Sequence, residues 1–285
     1  MSVKNLGIIG YGHLGQFLVH ELSKVPEFEV VKKWNRTPSP EDHVLPLEEI
    51  NEKTLEDIDL VIEVADPSVI KKYSDLILRH CDLFVGSPTA LADKDTFNVI
   101  RADPHQNNKK KLQSLKNLSK QFNRSVYVPA GAFWGGNDIQ KMAELGLLKG
   151  LTVTMTKHPS SFKLESPLKE LNEEAKTRTE ATVLFEGTVR ELCPLAPNNV
   201  NTMAGAAIAA HNLGFDEVKA RLVSDPEMLE WHVVEVEVEG PDGFRVSTKR
   251  MNPARPGAVT GQLTYFSFLA SIKESRFKPK GFHIC

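Results

Sequence analysis

A glycine-rich turn near the start of the chain constrains the fold more than any other feature. An apolar run at residues 6–9 is followed by GYGHLG at residues 10–15, and apolar residues then recur at helical spacing. In a Rossmann fold, three glycines between a buried strand and a helix allow a tight turn, close approach of a pyrophosphate and tight helix–strand packing. We therefore predict a dinucleotide here, the alternative being a turn without a ligand. The predicted cofactor-binding residues of this turn are Gly10, Gly12, His13, Leu14 and Gly15.

The end of the second predicted strand bears on the choice of cofactor. An acidic residue usually binds the ribose hydroxyls at this point, but this sequence has Asn35 and Arg36. An asparagine can still hydrogen-bond a ribose hydroxyl, and an arginine can pair with a 2′-phosphate or stack on adenine. We expect NADP, or both NAD and NADP, with a solvent-facing strand end as the alternative.

Alternating strand and helix patterns continue to about residue 131. They predict an α/β fold, a doubly wound parallel sheet of Rossmann type. Ligands bind beyond the carboxyl ends of such strands, which nominates the segments 65–68, 86–89 and 130–136, with Ala65 as a predicted cofactor-binding residue. Asp66 is expected to cap the helix that follows Ala65. The further strands are predicted at residues 59–65, 83–86 and 126–129, and the helices at 69–79 and 112–121.

The pattern changes from about residue 150. Three segments have β character, LTVTMTKH, TEATVLFEGTVREL and EWHVVEVEVEG, and a helix of small residues, NTMAGAAIAAHNLGF, lies between the last two. We predict a second, α+β domain. The domains are expected to be a dinucleotide-binding domain at 1–131, a substrate and dimerisation domain at 132–257, and a C-terminal helix within 258–285 that returns to the first domain.

Three asparagines precede the small-residue helix, Asn198, Asn199 and Asn201. We expect one residue of this segment to cap the helix, since Asn and Thr are good N-cap residues. Three asparagines are more than a cap needs. A helix N-terminus among neutral amides can also hold a carboxylate or the carboxamide of a nicotinamide, and both interpretations stay open.

A histidine begins the last predicted strand. With a period of two, His232 lies on the same side as Val234, Val236 and Val238, so we expect it to face the covered side of the sheet. Such a histidine is often a satisfied core residue. In a cofactor cleft its ordinary pKa near 6.5 would suit proton transfer at neutral pH. His211, on the small-residue helix, is the rival without a comparable placement.

Composition excludes several classes of partner. The net charge is −2, so no overall field attracts nucleic acid or a membrane surface, and the lysine run at 109–111 is expected to be solvated. Three widely spaced cysteines give no disulfide framework and no metal site. There is no apparent signal peptide or apolar span, so we expect a cytoplasmic protein.

Several blocks together resemble the L-aspartate dehydrogenase family, and particularly its animal branch. They are the opening GYGHLG, PAGAFWGG at 129–136, FEGT at 185–188, NVN at 199–201, and DP at 225–226 followed by Trp231-His232. The resemblance implies a Rossmann domain with an α+β domain, NAD or NADP as cofactor, and a homodimer. It also implies that Ala132 and Asn201 bind the cofactor and that His232 is catalytic.

The implied reaction is oxidative deamination of a small-molecule amino-acid substrate, L-aspartate, to iminosuccinate, which water converts to oxaloacetate and ammonia. The alternatives are a Rossmann dehydrogenase for another amino or oxo acid, or a catalytically silent NAD(P)-binding scaffold. Aspartate carries two carboxylates that need donors, and the sequence does not choose among the basic residues of the second half. The candidates are Lys157, Arg190, Arg221, Lys249 and Arg250.

Overall fold

The computed structural model describes residues 3–93 and 115–285. They form two compact units. Unit 1 comprises the described residues within 1–128, together with 272–283 and 285, and unit 2 comprises residues 129–271 and 284. The lysine run at 109–111 and the first three residues of the helix predicted at 112–121 lie outside the described residues. No helix within the described ranges is long and apolar enough to cross a membrane.

Unit 1 is built on a seven-stranded sheet in the order β12-β6-β5-β4-β1-β2-β3. The neighbouring pairs from β6 to β3 are parallel, which confirms the predicted doubly wound fold. All residues of β4 and β5 are buried, as expected for strands covered on both faces. The strands are β1 Lys4–Ile9, β2 Phe28–Asn35, β3 Leu45–Pro46, β4 Leu60–Glu63, β5 Asp82–Val85, β6 Val126–Val128 and β12 Phe282–Ile284.

The helices of unit 1 follow the predicted pattern. The first helix buries Gly15, Leu18 and Leu22 on one face. Asp66 caps the third helix by accepting a hydrogen bond from the Ser68 N–H at 3.0 Å, as predicted. The described helices are α1 His13–Leu22, α2 Glu52–Leu55, α3 Pro67–His80 and α4 Leu115–Phe122.

Unit 2 contains a five-stranded mixed sheet in the order β11-β10-β7-β9-β8. Strands β7 and β9 are parallel, and the other neighbours are antiparallel. One face of β10 is apolar and buried, and Glu237 and Glu239 on the other face are exposed, which confirms the predicted alternation. The strands are β7 Gly150–Lys157, β8 Thr182–Thr188, β9 Lys219–Ser224, β10 Trp231–Glu239 and β11 Arg245–Pro253.

The small-residue helix of unit 2 is buried all around. Its residues 203–209 are all buried, and all of them except Met203 and Ile208 are glycine or alanine. The expectation that an Asn or Thr side chain caps it is wrong: Val200 occupies the N-cap and no side chain caps the helix. The helices of unit 2 are α5 Gly136–Glu144, α6 Leu168–Ala175, α7 Val189–Leu192, α8 Asn201–Ala209, α9 Gly214–Glu217 and α10 Gln262–Glu274.

The last helix, α10, differs from the expected organisation. Residues 262–271 belong to unit 2, and unit 1 takes the chain up again at residue 272. Within unit 2 the Phe268 ring lies 3.8 Å from the position of a Cβ on Gly131, so this helix packs on the segment that follows β6. The first boundary, after residue 128, lies close to the expected one after residue 131. The functional limits of the domains stay a prediction.

Candidate functional site

The glycine turn of unit 1 has the geometry of a phosphate-binding turn. Gly10 has a φ of +105°, and a Cβ there would lie 2.7 Å from the Val64 carbonyl oxygen. A Cβ on Gly15 would lie 1.9 Å from the Gly10 carbonyl oxygen. These two glycines are therefore required by the turn and by close helix–strand packing, whether or not a ligand binds.

Gly12 provides the test for a ligand. A Cβ on Gly12 would meet nothing within 4 Å, and its φ of −78° is open to any residue. Packing within the described chain therefore does not require glycine here, and a pyrophosphate approaching the backbone would. His13, exposed, and Leu14, half-buried, follow as the first residues of α1, whose N–H groups and partial positive charge suit a phosphate. The turn fits a dinucleotide.

Asn35 and Arg36 occupy the end of β2. The Tyr11 N–H donates to Asn35 Oδ1 at 3.4 Å, and Asn35 Nδ2 donates to the Thr37 carbonyl at 3.1 Å. Asn35 thus ties the glycine turn to the strand end, a structural function that the sequence had not indicated. Arg36 is exposed and has no carboxylate partner among the described residues. Its guanidinium remains available to an anion.

A buried carboxyl group lies at the end of β4, and sequence reasoning missed it. Glu63 is fully buried, and burial raises its pKa from 4.5 to about 7. It accepts hydrogen bonds from the Ala65 N–H at 2.7 Å and the Asp66 N–H at 3.0 Å. It also accepts from the Ser87 N–H at 3.0 Å and the Ser87 hydroxyl at 2.9 Å. Glu63 therefore holds together the carboxyl ends of β4 and β5, including the exposed Ala65 that we expect to contact the cofactor.

In unit 2, five polar residues form one row across the sheet. Cross-strand pairs join Thr182 to Ser224, Ser224 to Lys157, Lys157 to His232, and His232 to Asn252. The next row along the same face is apolar over three of its strands, with Leu222, Met155 and Val234. We call the five residues the polar row. It closes one end of a face that is otherwise apolar on β7, β9 and β10.

Several atoms of the polar row are buried without a hydrogen-bond partner. They are Thr182 Oγ1, His232 Nε2 and Asn252 Oδ1, and no described residue satisfies them. Other polar atoms of the row are satisfied: the Ser224 hydroxyl donates to Asn172 Oδ1 at 2.9 Å, and Asn252 Nδ2 donates to the His232 carbonyl at 3.3 Å. Since buried polar groups are nearly always paired, with protein or with water, these three atoms have hydrogen-bonding capacity that the described residues do not use.

His232 lies in the polar row, 4% exposed. The Nε2 atom of its ring is buried and has no hydrogen-bond partner among the described residues. Burial, and next the charge of Lys157, lower the pKa of His232 from 6.5 to about 3, against the opposing effect of the Ala258 hydrogen bond. The ordinary pKa that we expected is therefore wrong for this environment. At this pKa the ring is neutral near pH 7, and its Nε2 has no hydrogen-bond partner among the described residues.

Lys157 is the second ionisable group of the polar row. It is 3% exposed and donates to the Val259 carbonyl oxygen at 2.9 Å. Its ammonium lies 5.8 Å from the centre of the Phe162 ring. Burial lowers its pKa from 10.5 to about 7. No carboxylate of the described chain forms an ion pair with it.

Two further predicted cofactor contacts lie in unit 2. Ala132, buried, follows Gly131, whose carbonyl oxygen accepts a hydrogen bond from Arg250 Nη1 at 3.0 Å. Arg250 thereby fixes the segment with Ala132 against the strand that carries Asn252. Asn201, half-buried, is the first residue of α8, and a Cβ on Gly205 of that helix would lie 3.8 Å from the Pro129 carbonyl oxygen. Two of the sequence blocks that suggested a known family are therefore neighbours within unit 2.

The other candidates of the second half have structural partners or lie outside the row. The Asn199 side chain accepts from the Lys163 N–H at 2.8 Å and donates to the Ser161 carbonyl at 3.3 Å, so it supports a loop rather than a ligand. His211 is exposed beyond the end of α8. Ser224 and Asn252 were not predicted, since no sequence signal shows which strands are neighbours.

Comparison with known proteins supports both units. The family model described as "Homoserine dehydrogenase, NAD binding domain" matches residues 9–113, and "Aspartate dehydrogenase, C-terminal" matches residues 138–275. A protein of Danio rerio named "Aspartate dehydrogenase domain-containing protein" is 45% identical over 94% of this chain and 93% of its own. The protein of that name in Xenopus tropicalis is 43% identical, with 98% and 97% covered.

More distant relatives have more specific names. The L-aspartate dehydrogenase of Methanococcoides burtonii is 28% identical over 76% of this chain and 73% of its own. A crystal structure of aspartate dehydrogenase from Thermotoga maritima superposes with a TM-score of 0.65 at 22% identity, covering 97% of this chain and 96% of that one. This structural similarity concerns the fold.

The two matched family models define a class: the chain is an NAD(P)-dependent amino-acid dehydrogenase with a Rossmann domain. Within that class the identity and coverage of the animal relatives are decisive. The chain belongs to the aspartate dehydrogenase family.

Proposed function

We propose that this protein oxidises L-aspartate with NAD or NADP, giving iminosuccinate, which water converts to oxaloacetate and ammonia. The observation that carries the proposal is the buried, unpaired Nε2 of His232 in the polar row of an aspartate dehydrogenase family member. The names of the distant archaeal relatives support aspartate as the substrate.

The first task of the protein in this reaction is to remove a proton from the amino group. Hydride leaves the α-carbon only when the nitrogen lone pair can form the imine, so the amine must be neutral. A bound nicotinamide supplies the acceptor for that hydride. His232 is neutral, and with its ring proton on Nδ1 the unpaired Nε2 can take the ammonium proton of the substrate once the bound substrate carboxylate raises the pKa of the ring from about 3.

The second task is to hold the reacting atoms in place and away from bulk water. The apolar row of Leu222, Met155 and Val234 adjoins the polar row and provides a surface from which water is excluded. After imine formation the protonated His232 releases its proton to water, and the neutral ring can then take a proton from the water that attacks the imine carbon. One imidazole thus serves both proton transfers.

The cofactor contacts belong to the same proposal. The glycine turn at Gly10–Gly15 and the N-terminus of α1 would bind the pyrophosphate, and Asn35 and Arg36 the adenosine end. Ala65, Ala132 and Asn201 would complete the cofactor site. Arg36 favours a cofactor with a 2′-phosphate, so we propose NADP, or use of both NADP and NAD.

The test is a substrate panel with purified protein. NAD or NADP is combined with L-aspartate and with other amino and hydroxy acids, and reduced cofactor is followed by absorbance. We expect reduction with L-aspartate above all other compounds. Equal or faster reduction with another acid would contradict aspartate as the substrate. Cofactor binding in calorimetry without any reduction would leave a silent scaffold as the function.

Assembly and location complete the proposal. We propose a homodimer in the cytoplasm. Its support is the family resemblance and the exposed apolar side chains Trp231 and Met251 on the face of the unit 2 sheet opposite His232. Sedimentation equilibrium should give twice the mass of one chain, and a monomer at micromolar concentration would contradict the dimer.

A further inference from the structure

We propose that Lys157 binds the α-carboxylate of the substrate, directly beside His232. The inference rests on the proposed function, since it names the residue that recognises the amino-acid head group. It concerns a choice that the sequence left open among five basic residues of the second half.

Three of those five residues already have carboxylate partners. Arg190 grips Asp216 with two hydrogen bonds, at 2.5 and 2.8 Å. The other two lie on the opposite face of the sheet from His232, where Arg221 lies 3.8 Å from Glu186 and Lys249 lies 3.2 Å from Glu235. These three do not have the position or the unpaired charge that a substrate carboxylate needs.

Arg250 is on the correct face but one row too far along. It lies opposite Val234, whereas Asn252 lies opposite His232. Two residues along a strand correspond to about 6.6 Å. Its Nη1 also donates to the Gly131 carbonyl, so the guanidinium supports the segment that carries Ala132. Lys157 is the basic residue among the five that shares the row of His232.

The groups that surround Lys157 leave its charge without compensation. His232 faces it from β10, the Ser224 hydroxyl from β9, and the Val259 carbonyl from the segment before α10. The Phe162 ring lies to one side. None of these groups is anionic, and no carboxylate of the described residues lies within ion-pair distance of the Lys157 ammonium. An ammonium has three donors, and the one hydrogen bond to Val259 leaves two for a ligand.

The pair of side chains matches the head group of an α-amino acid. That head group has a carboxylate and an ammonium on the same carbon. Lys157 offers hydrogen-bond donors and positive charge, and on the neighbouring strand His232 Nε2 offers an acceptor. Side chains directly opposite on neighbouring strands have Cβ atoms about 5 Å apart. The carboxylate on Lys157 therefore directs the adjacent ammonium towards Nε2.

Binding of a carboxylate would also change the charge state of the lysine. Burial lowers the pKa of Lys157 to about 7, so near neutral pH part of the protein holds a neutral amine. A carboxylate in contact would stabilise the ammonium and raise this pKa. Since the other facing groups are His232, a hydroxyl and a carbonyl, the substrate supplies the missing negative charge. We expect proton uptake on binding above pH 7.

The experiment compares Lys157→Met and Lys157→Arg with the wild type. In Lys157→Met we expect the KM for L-aspartate to rise on the order of 100-fold, as for loss of a buried charge pair, with kcat changed less than about fivefold. Lys157→Arg should recover part of the affinity. Cofactor affinity, measured by calorimetry, should not change in either variant. Lys249→Met, an exposed lysine of the same sheet, is the matched control and should behave as the wild type.

Two ligands separate the carboxylates without requiring turnover. L-Asparagine has only the α-carboxylate, and 3-aminopropanoate keeps only the carboxylate that corresponds to the aspartate side chain. We then compare the affinities of Lys157→Met and the wild type in calorimetric titrations with cofactor present. The variant should bind L-asparagine more weakly than the wild type does, and it should bind 3-aminopropanoate with the same affinity. The reverse pattern would overturn the assignment, and so would a loss of kcat at constant KM, because Lys157 would then serve proton transfer.

Failure of the proposed function gives a different result. If the wild type binds L-asparagine through Lys157 but does not oxidise L-aspartate, the proposed carboxylate site is supported and the proposed activity is contradicted. If Lys157→Met binds both ligands as the wild type does, the carboxylate site falls whatever the activity. Thermal unfolding of each variant shows whether it is folded, and Lys157→Arg provides a second folded variant.

Discussion

Each unit of this protein buries an ionisable side chain at the end of a strand, and the two side chains differ in how completely their hydrogen bonds are satisfied. Glu63 in unit 1 accepts four hydrogen bonds from neighbouring backbone and a hydroxyl. Lys157 in unit 2 has one hydrogen bond, and His232 beside it has an unpaired ring nitrogen. Burial and a perturbed pKa are common to both places. The difference lies in the hydrogen bonds: those of Glu63 hold two strand ends together, and we propose that the unpaired atoms beside Lys157 serve a ligand.

The largest expected effect concerns His232, whose ring nitrogen Nε2 has no hydrogen-bond partner among the described residues. His232→Ala should lower kcat for L-aspartate by about 100- to 10,000-fold, because the ammonium proton loses its acceptor. Steady-state kinetics measures the effect. The control is His211→Ala, an exposed histidine of the same unit, which should keep its kcat. Unchanged turnover in His232→Ala would remove this residue from the mechanism.

Stability should reveal the cost of the uncompensated lysine. Lys157→Met keeps the shape of the side chain and removes the buried charge, so we expect the variant to be more stable by about 3 kcal/mol below pH 7. Between pH 7 and 10.5 the unfolded wild type binds more protons than the folded one, so its stability rises with pH and the advantage of the variant shrinks. Urea unfolding at several pH values measures both. A less stable variant at pH 6 would contradict this reading of Lys157.

Glu63 should behave in the opposite sense. Glu63→Gln places an amide donor against the donors that the carboxyl group accepts from, and we expect a loss of about 1–3 kcal/mol at pH 8. The folded pKa of Glu63, about 7, lies above the unfolded value of 4.5, so wild-type stability contains a contribution that is present below pH 4.5 and lost as pH rises through 7. The variant should lack this slope. Equal slopes in both proteins would show that Glu63 does not titrate in that range.

The glycine turn extends the comparison to the surface of unit 1. Gly12→Ala should fold normally, because the added Cβ meets nothing within 4 Å. It should nevertheless bind the dinucleotide more weakly than the wild type does. Overpacking of about 1–3 kcal/mol corresponds to a Kd that is higher by about 5- to 160-fold. Gly15→Ala is the contrasting variant, since its Cβ would lie 1.9 Å from the Gly10 oxygen, and its melting temperature should fall. Full cofactor affinity in Gly12→Ala would place the dinucleotide elsewhere.

Arg36 should give the smallest effect, because it is exposed. Arg36→Ala should lower the affinity for NADP by about fivefold, which corresponds to one surface charge pair. The affinity for NAD should stay nearly unchanged. The Kd values of both cofactors at two salt concentrations check the difference. Equal weakening of both would show that the guanidinium does not pair with a 2′-phosphate.

The sequence predicts unit 1 and one face of unit 2 because those features are local. The G-x-G-x-x-G turn, the Asp66 cap and the buried side of His232 each follow from a few consecutive residues. The strands β9 and β11 were not predicted, since charged residues interrupt the first and the second is an edge strand with little apolar pattern. Glu63 was missed because a single acid within an apolar run gives no sign of its partners.

The polar row was beyond sequence reasoning for a different reason. Lys157 was one of five equal candidates, and only the register of β7 against β10 places it beside His232. The same register assigns Ser224 and Asn252 to the row. The helix cap failed because the Asn199 amide bonds a distant loop, a tertiary contact that overrides a local preference.

The chemistry that we propose for the polar row depends on a completed sheet. Its members come from five strands, with Thr182 between Lys157 and Ser224 in the chain but at the far end of the row. A shift of one residue in any strand would turn that strand's contribution to the opposite surface. A fragment or a partly folded chain that lacks one of these strands also lacks that strand's residue in the row. Recovery of turnover after denaturation would therefore report correct strand alignment more strictly than recovery of secondary structure does.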